Sequence, residues 1–359
     1  MRSFSIEGLS RLNIFGFLYT GTQEAPGNVG LWDQALALEW VNDNIKYFGG
    51  DPNRVTIFGE SAGGWSTSLH IISPISRHLF RNAILNSGSY VYKFSEDRPE
   101  DHSRRWLKGV QQIGCSDPDS DGQTFTTKIM DCLRAIEPEK LVPITDIWEI
   151  IPGSVKVFDL VVTDGQFLPE DPNRMLLNGD FKRDVKIMVS TVEDEGDFLI
   201  SNFNDPEKFH PLHPHNLSYS EAYRHLRDIS AGLNSHLPIN GEDVAKLYYS
   251  GLSDRNGFDL LRRTIGIAVG DYYLTCPTVL FAKEVFKNSG FKSDVYQYYF
   301  NSKYQDNFFC SHWMGVCHTN DIFPMFGIPF LDPDHYNERE REISEQMIKF
   351  LTDFVKTGY

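Results

Sequence analysis

The chain has 359 residues, 41% apolar and 23% charged, a composition that reads as soluble and globular and as long enough for one large α/β domain or two ordinary ones. With 34 Lys and Arg against 49 Asp and Glu its formal charge is −15, which argues against nucleic acid or an anionic membrane as partner, and weakly favours a cationic or neutral substrate. No uninterrupted apolar run in the sequence reaches the length of a membrane span, and no repeat or low-complexity stretch divides the chain, so a single domain is expected over 1–359.

The first ten residues, MRSFSIEGLS, resemble neither a signal peptide nor an apolar strand. Residues 12–18 are short and apolar, which predicts the end of a buried strand. From Leu31, apolar residues recur at helical spacing through Ala35, Leu38, Val41, Ile45 and Phe48, and Gly49-Gly50 stops that helix. A turn at 51–54 leads into a β-branched strand at 55–58, a helix opening near Ala62 and ending before Pro74, and a strand at 83–85. This alternation predicts a mostly parallel sheet flanked by helices. Residues 95–150 are polar and helical, an excursion from the sheet. A buried strand follows at 185–192. After a Pro-containing loop at 203–217, Ser218 and Glu221 form a capping box that opens a helix. Helical patterns fit 241–250, 258–270 and 277–288, and Val295–Phe300 is a strand. A long amphipathic helix over 336–356 turns Ile343, Met347, Phe350, Leu351 and Phe354 inward.

Gly59-Glu60-Ser61-Ala62-Gly63 matches G-x-S-x-G, a string that arises by chance in roughly one chain in ten of this length. Its context is more specific, because it lies between a strand and a helix as a nucleophile elbow requires. Small residues at Gly59 and Gly63 are expected because a Cβ at either would clash in so tight a turn. The elbow would lift the Ser61 hydroxyl clear of the sheet and make the Ala62 N–H an oxyanion donor. The competing reading, a Gly-rich loop with a capping serine, does not require that strand and helix.

The motifs Asn28-Val29-Gly30-Leu31-Trp32-Asp33-Gln34, Phe48-Gly49-Gly50-Asp51-Pro52 and Gly59-Glu60-Ser61-Ala62-Gly63-Gly64 closely resemble the type-B carboxylesterase and cholinesterase family, from about Arg11 to Gly358. The resemblance implies an α/β-hydrolase fold and a Ser–Glu–His triad, which needs neither metal nor cofactor and acts on a small-molecule ester. The family's acid position falls on Glu195 in Asp194-Glu195-Gly196. By residue type alone Glu193, Asp194 and Asp197 compete with it. The family's base falls on His318 in Gly315-Val316-Cys317-His318, followed here by Thr319 where the family usually has Gly. His318 would take the Ser61 proton and Glu195 would orient the imidazole. The family's remaining oxyanion donors lie in an N-terminal Gly-Gly motif that this sequence lacks. The chain is therefore expected to be truncated at its N-terminus and also at its C-terminus, and by itself inactive or weakly active.

The same resemblance implies a Cys115–Cys132 disulfide, a secreted or cell-surface location, and a substrate pocket formed by Phe198, Leu199, Val155 and Val157. Phe198 falls where cholinesterases place a choline-facing aromatic. The valines fall where acetyl-selective members carry bulky rings, and Leu199 likewise replaces an aromatic. Cys276 matches a family cysteine whose partner is absent here. Cys310, His312, Cys317 and His318 fit no common zinc spacing, so a local Cys310–Cys317 disulfide is the expectation there. Asn216-Leu217-Ser218 is a glycosylation sequon. The alternative to an ester hydrolase is a non-catalytic, cholinesterase-like adhesion module, which has no need to carry Ser61, Glu195 and His318 together.

Overall fold

The computed structural model describes residues 5–90, 98–142, 144, 160–201, 205, 207–232, 239–304 and 310–359. A helical turn α1 (Asn13–Phe17) leads to a small antiparallel pair, β1 (Tyr19–Thr22) and β2 (Ala25–Pro26), and then to α2 (Val29–Asn44). The first large unit is β3 (Thr56–Glu60), α3 (Ala62–Ile72) and β4 (Asn82–Asn86). The excursion between β4 and the next strand contains α4 (Pro99–Gln112), α5 (Thr127–Ala135), α6 (Pro138–Leu141) and α7 (Pro172–Leu177). After β5 (Lys186–Val192) come α8 (Asp197–Ile200), α9 (Tyr219–Gly232), α10 (Gly241–Tyr248), α11 (Phe258–Gly270) and α12 (Cys276–Asn288). The chain ends with β6 (Val295–Phe300), α13 (Ile322–Met325), α14 (Ile328–Leu331) and α15 (Glu338–Thr357).

The four long strands form one parallel sheet in the order β3-β4-β5-β6. The central strands are covered on both faces, and every residue of β4 is buried, which is why they read as apolar runs without alternation. On one face α2, α3, α7 and α12 contribute Leu31, Leu69, Met175 and Phe281 to a core with Leu85 and Val189. On the other, α15 sets Phe354 against Ile84 and Met188, and Met347 packs with Val192 and Phe300. Each such fully buried side chain contributes roughly 1.5–3 kcal/mol. The five inward positions expected on this helix all pack in these two clusters.

Residues 12–18 depart from expectation. They form the helical turn α1, with Ile14 buried and Leu12 and Phe15 exposed, rather than a strand. A short apolar run carries no period that separates the two. Here Ile14 packs into the cluster of Trp106, Ile129 and Leu133 rather than onto the sheet. The helical run Phe258–Asn288 is long and apolar enough by composition to cross a membrane, although Arg262, Arg263 and Asp271 interrupt its apolar residues. The 18-residue stretch of it that is apolar enough is 61% buried inside the protein, and Leu261, Ile265 and Phe281 of the run are core residues.

Candidate active site

Ser61 is the single residue between β3 and α3, at φ 56° and ψ −118°, a conformation few non-glycine residues adopt. Its N–H donates to the Asn86 carbonyl at 2.9 Å, and its own carbonyl accepts from the Trp65 N–H at 3.0 Å. The elbow is as tight as expected at Gly59, where a Cβ would lie 2.0 Å from the Gly63 carbonyl oxygen. The expectation for Gly63 is not met, because a Cβ there would meet nothing within 4 Å among the described residues. Gly63 matters to the turn through its carbonyl, and the second glycine that close packing requires is Gly64, whose Cβ would lie 2.6 Å from the Gly88 carbonyl oxygen. Ala62 is exposed and opens α3, so its N–H is one of the four that have no acceptor inside the helix.

The opposite wall comes from the ends of β5 and β6. Glu195 is buried, accepts the Val192 N–H at 2.9 Å through Oε1, and lies 2.7 Å from His318 Nδ1 through Oε2. Of the four clustered carboxylates, Glu195 is the one that reaches the imidazole. Glu193 is exposed. Asp194 accepts from Arg263 Nη2 at 2.8 Å to each oxygen and from Nε at 3.2 Å to Oδ1, and accepts the Val316 N–H at 2.8 Å. Asp197 accepts the Gly315 N–H at 3.1 Å, and burial followed by the neighbouring Asp194 charge pushes its pKa well up. Both aspartates therefore brace the loop that carries His318. Gly315 is required there, since a Cβ would lie 1.8 Å from Asp194 Oδ2.

His318 is buried, with Nε2 3.2 Å from Glu60 Oε1, the residue before Ser61, though without the alignment of a hydrogen bond. No hydrogen bond joins Ser61 Oγ to His318 among the described residues. Such contacts commonly tighten only when substrate is bound. Burial lowers the imidazole pKa. The Glu195 hydrogen bond and the charges of Glu195, Glu60 and Asp321 raise it more, to about 8. Burial pushes Glu60 up to about 7, offset in part by the His318 charge. Beneath them Asp321 Oδ2 accepts from Ser190 Oγ at 3.1 Å, Tyr298 Oη at 3.0 Å and Asn86 Nδ2 at 3.2 Å. Burial pushes Asp321 up to about 6. Glu60, Asp321 and Arg263 escape the sequence reading. Glu60 occupies a variable position of the elbow motif, and Arg263 is one of two adjacent arginines in its helix, with nothing in the sequence to single it out.

Phe198 is 49% exposed and stacks on His318, with ring centroids 6.2 Å apart and 25° between planes, so it is not a core residue. Leu199 is half-buried and packs against the cluster of Phe209, Leu226 and Ile265. Val155 and Val157 lie outside the described residues. Asn216 is exposed. Cys115 pairs with Cys132 and Cys310 with Cys317, which removes both thiolates of the zinc alternative, and Cys276 is a free thiol.

The Carboxylesterase family matches this chain over residues 10–359. The chain is similar to the acetylcholinesterase of Bungarus fasciatus, 36% identical over 97% of this chain and 55% of that protein. It is likewise similar to the acetylcholinesterase of Leptinotarsa decemlineata, at 35% over 97% and 54%, and to that of Danio rerio, at 32% over 97% and 57%. It thus spans about half the length of these relatives.

Proposed function

The chain belongs to the carboxylesterase family, and from that premise we propose that it hydrolyses carboxylic esters through an acyl-enzyme on Ser61. The observation that carries this is the buried Glu195–His318 pair at 2.7 Å, held beside the strand-to-helix turn that presents Ser61. Glu195 keeps the proton on Nδ1, which leaves Nε2 free to accept the Ser61 proton as its oxygen attacks the ester carbonyl. The imidazolium then protonates the departing alcohol. Water, deprotonated by the same nitrogen, releases the acid. The N–H of Ala62 at the head of α3 stabilises the developing oxyanion. Ser61→Ala should lower p-nitrophenyl acetate turnover by about a million-fold with the melting curve unchanged. Turnover retained in that variant overturns the assignment.

The narrower proposal is a cationic, choline-type alcohol. It rests on the exposed Phe198 ring over His318, the Glu60 carboxylate beside it and the similarity to acetylcholinesterases. A cation over that ring gains about 0.5–2 kcal/mol. Phe198→Ala should therefore cut the kcat/KM preference for a choline ester over its uncharged tert-butyl analogue by roughly 2- to 30-fold. An unchanged ratio removes the choline reading and leaves the hydrolase. On the acyl side, valines at 155 and 157 and Leu199 in place of rings favour propionyl and butyryl groups beside acetyl, by about 0.8 kcal/mol per buried methylene. The two disulfides and the exposed sequon asparagine support passage through an oxidising compartment.

A further inference from the structure

Residues Cys317, His318, Thr319 and Asn320 form a tight turn closed by the Asn320 N–H on the Cys317 carbonyl at 3.1 Å. Thr319, its third residue, sits at φ 77°, the value that the third residue of a type II turn requires and that glycine or asparagine normally supplies. A β-branched residue is a genuine outlier there. The cost corresponds to roughly a five- to 150-fold bias against the turn. The threonine side chain offers no compensation, because its hydroxyl is buried without a hydrogen-bond partner among the described residues. His318 occupies the second position of this turn, so the approach of its Nδ1 to Glu195 depends on a backbone conformation the local sequence disfavours.

The first residue of the same turn is bonded to Cys310. Asn320, the last, is buried and donates its amide to Cys310 Sγ at 2.8 Å and Cys317 Sγ at 3.5 Å. The bridge therefore holds both ends of the turn. On the N-terminal side Asp194 adds two bonds to Val316, through its own N–H at 3.0 Å and its carboxylate at 2.8 Å. Those bonds stop short of the strained residue.

We propose that the Cys310–Cys317 disulfide is a positioning element for the turn that carries His318, and that its reduction by a dithiol switches the site off. The proposal rests on the reading of His318 as the base. In the reductive step a dithiol thiolate attacks Cys310 Sγ, the less buried sulfur, and the Cys317 thiolate leaves and takes a proton. The second thiol of the reductant then displaces Cys310 as its thiol, and the reductant departs as a disulfide. Freed of the bridge, Thr319 relaxes out of the left-handed region and His318 leaves Glu195.

The test compares the parent with Cys310→Ser/Cys317→Ser, with and without Thr319→Gly. One readout is the rate of fluorophosphonate labelling at Ser61. The other is the downfield NMR resonance of the His318 Nδ1 proton, which needs no esterase activity. The double variant should label roughly five- to 150-fold more slowly and lose the resonance, and adding Thr319→Gly should restore both, because glycine takes φ 77° without strain. Parent-like labelling and resonance in the double variant, or failure of glycine to restore them, overturns the clamp. If the parent itself is not labelled, the esterase reading fails and the resonance alone decides the clamp. Should the double variant not fold, dithiothreitol titration of the parent replaces it. Loss of the resonance must then track the free Cys317 thiol mapped by mass spectrometry, and a resonance that survives its appearance refutes the proposal.

Discussion

The two walls of the site are built by different means. The Ser61 wall is mostly local: one strand, one residue, one helix, with Gly59 pressed against the Gly63 carbonyl, and its supports from outside the motif, the Asn86 and Gly88 carbonyls, come from the end of the adjacent strand. The His318 wall is assembled from afar, by Glu195 across the sheet, Arg263 from α11 and a disulfide from Cys310. It also tolerates a positive φ at Thr319, as the other wall does at Ser61. A nucleophile's placement can be written into a short motif. A base that must face an acid, a serine and a buried charge together is positioned by the tertiary structure.

The largest effect expected from breaking the distant wall is His318→Ala, which should lower ester turnover by about a million-fold, as severe as loss of the serine. Steady-state kinetics with and without added imidazole check it, and a loss under a hundredfold would show that another group is the base. Glu195→Gln should cost about ten-thousand-fold by allowing the wrong tautomer. If Asp194→Asn is the crippling change in kcat and Glu195→Gln is mild, the acid is misassigned.

The local wall is probed by stability rather than turnover. Gly59→Ala places a methyl 2.0 Å from a carbonyl oxygen and should destabilise by about 3 kcal/mol. Gly63→Ala, with open space and a helical position, should be neutral or stabilising by up to about 1 kcal/mol. Equal losses in calorimetric melts of the two variants would contradict the elbow described here.

The smallest expected effect lies where the walls meet. His318 must be neutral to accept a proton, and its pKa is raised to about 8, so kcat/KM should climb as pH rises through about 8. Of the acidic groups facing it, Glu195, Glu60 and Asp321, Glu60 belongs to the nucleophile's wall. Glu60→Gln removes one charge that holds the imidazolium, so the inflection should move to lower pH and activity below pH 8 should rise. An inflection that stays in place, or moves up, would mean that Glu60 does not act on His318.

This contrast also sets what was legible in the sequence. The elbow, the β-branched strand before it, the Ser218–Glu221 capping box and the inward face of α15 are encoded by neighbours a few residues apart, and they are found where the sequence predicts them. Which of four clustered acids meets His318 was not legible from residue type, because it depends on Arg263 engaging Asp194 from 69 residues away. The contact of Glu60 with His318 and the left-handed Thr319 were hidden for the same reason. The apolar stretch at 12–18 failed differently, since its burial against α4 and α5 gives it the composition of a strand and the path of a helix.

Whether Ser61 is the reacting group is read out by treating the protein with a fluorophosphonate and mapping the adduct by peptide mass spectrometry. The prediction is a single covalent adduct on Ser61, formed in the parent protein and lost in both Ser61→Ala and His318→Ala. An adduct on any other residue, or labelling of the His318→Ala protein at the parent rate, would contradict a hydrolase built on Ser61, His318 and Glu195.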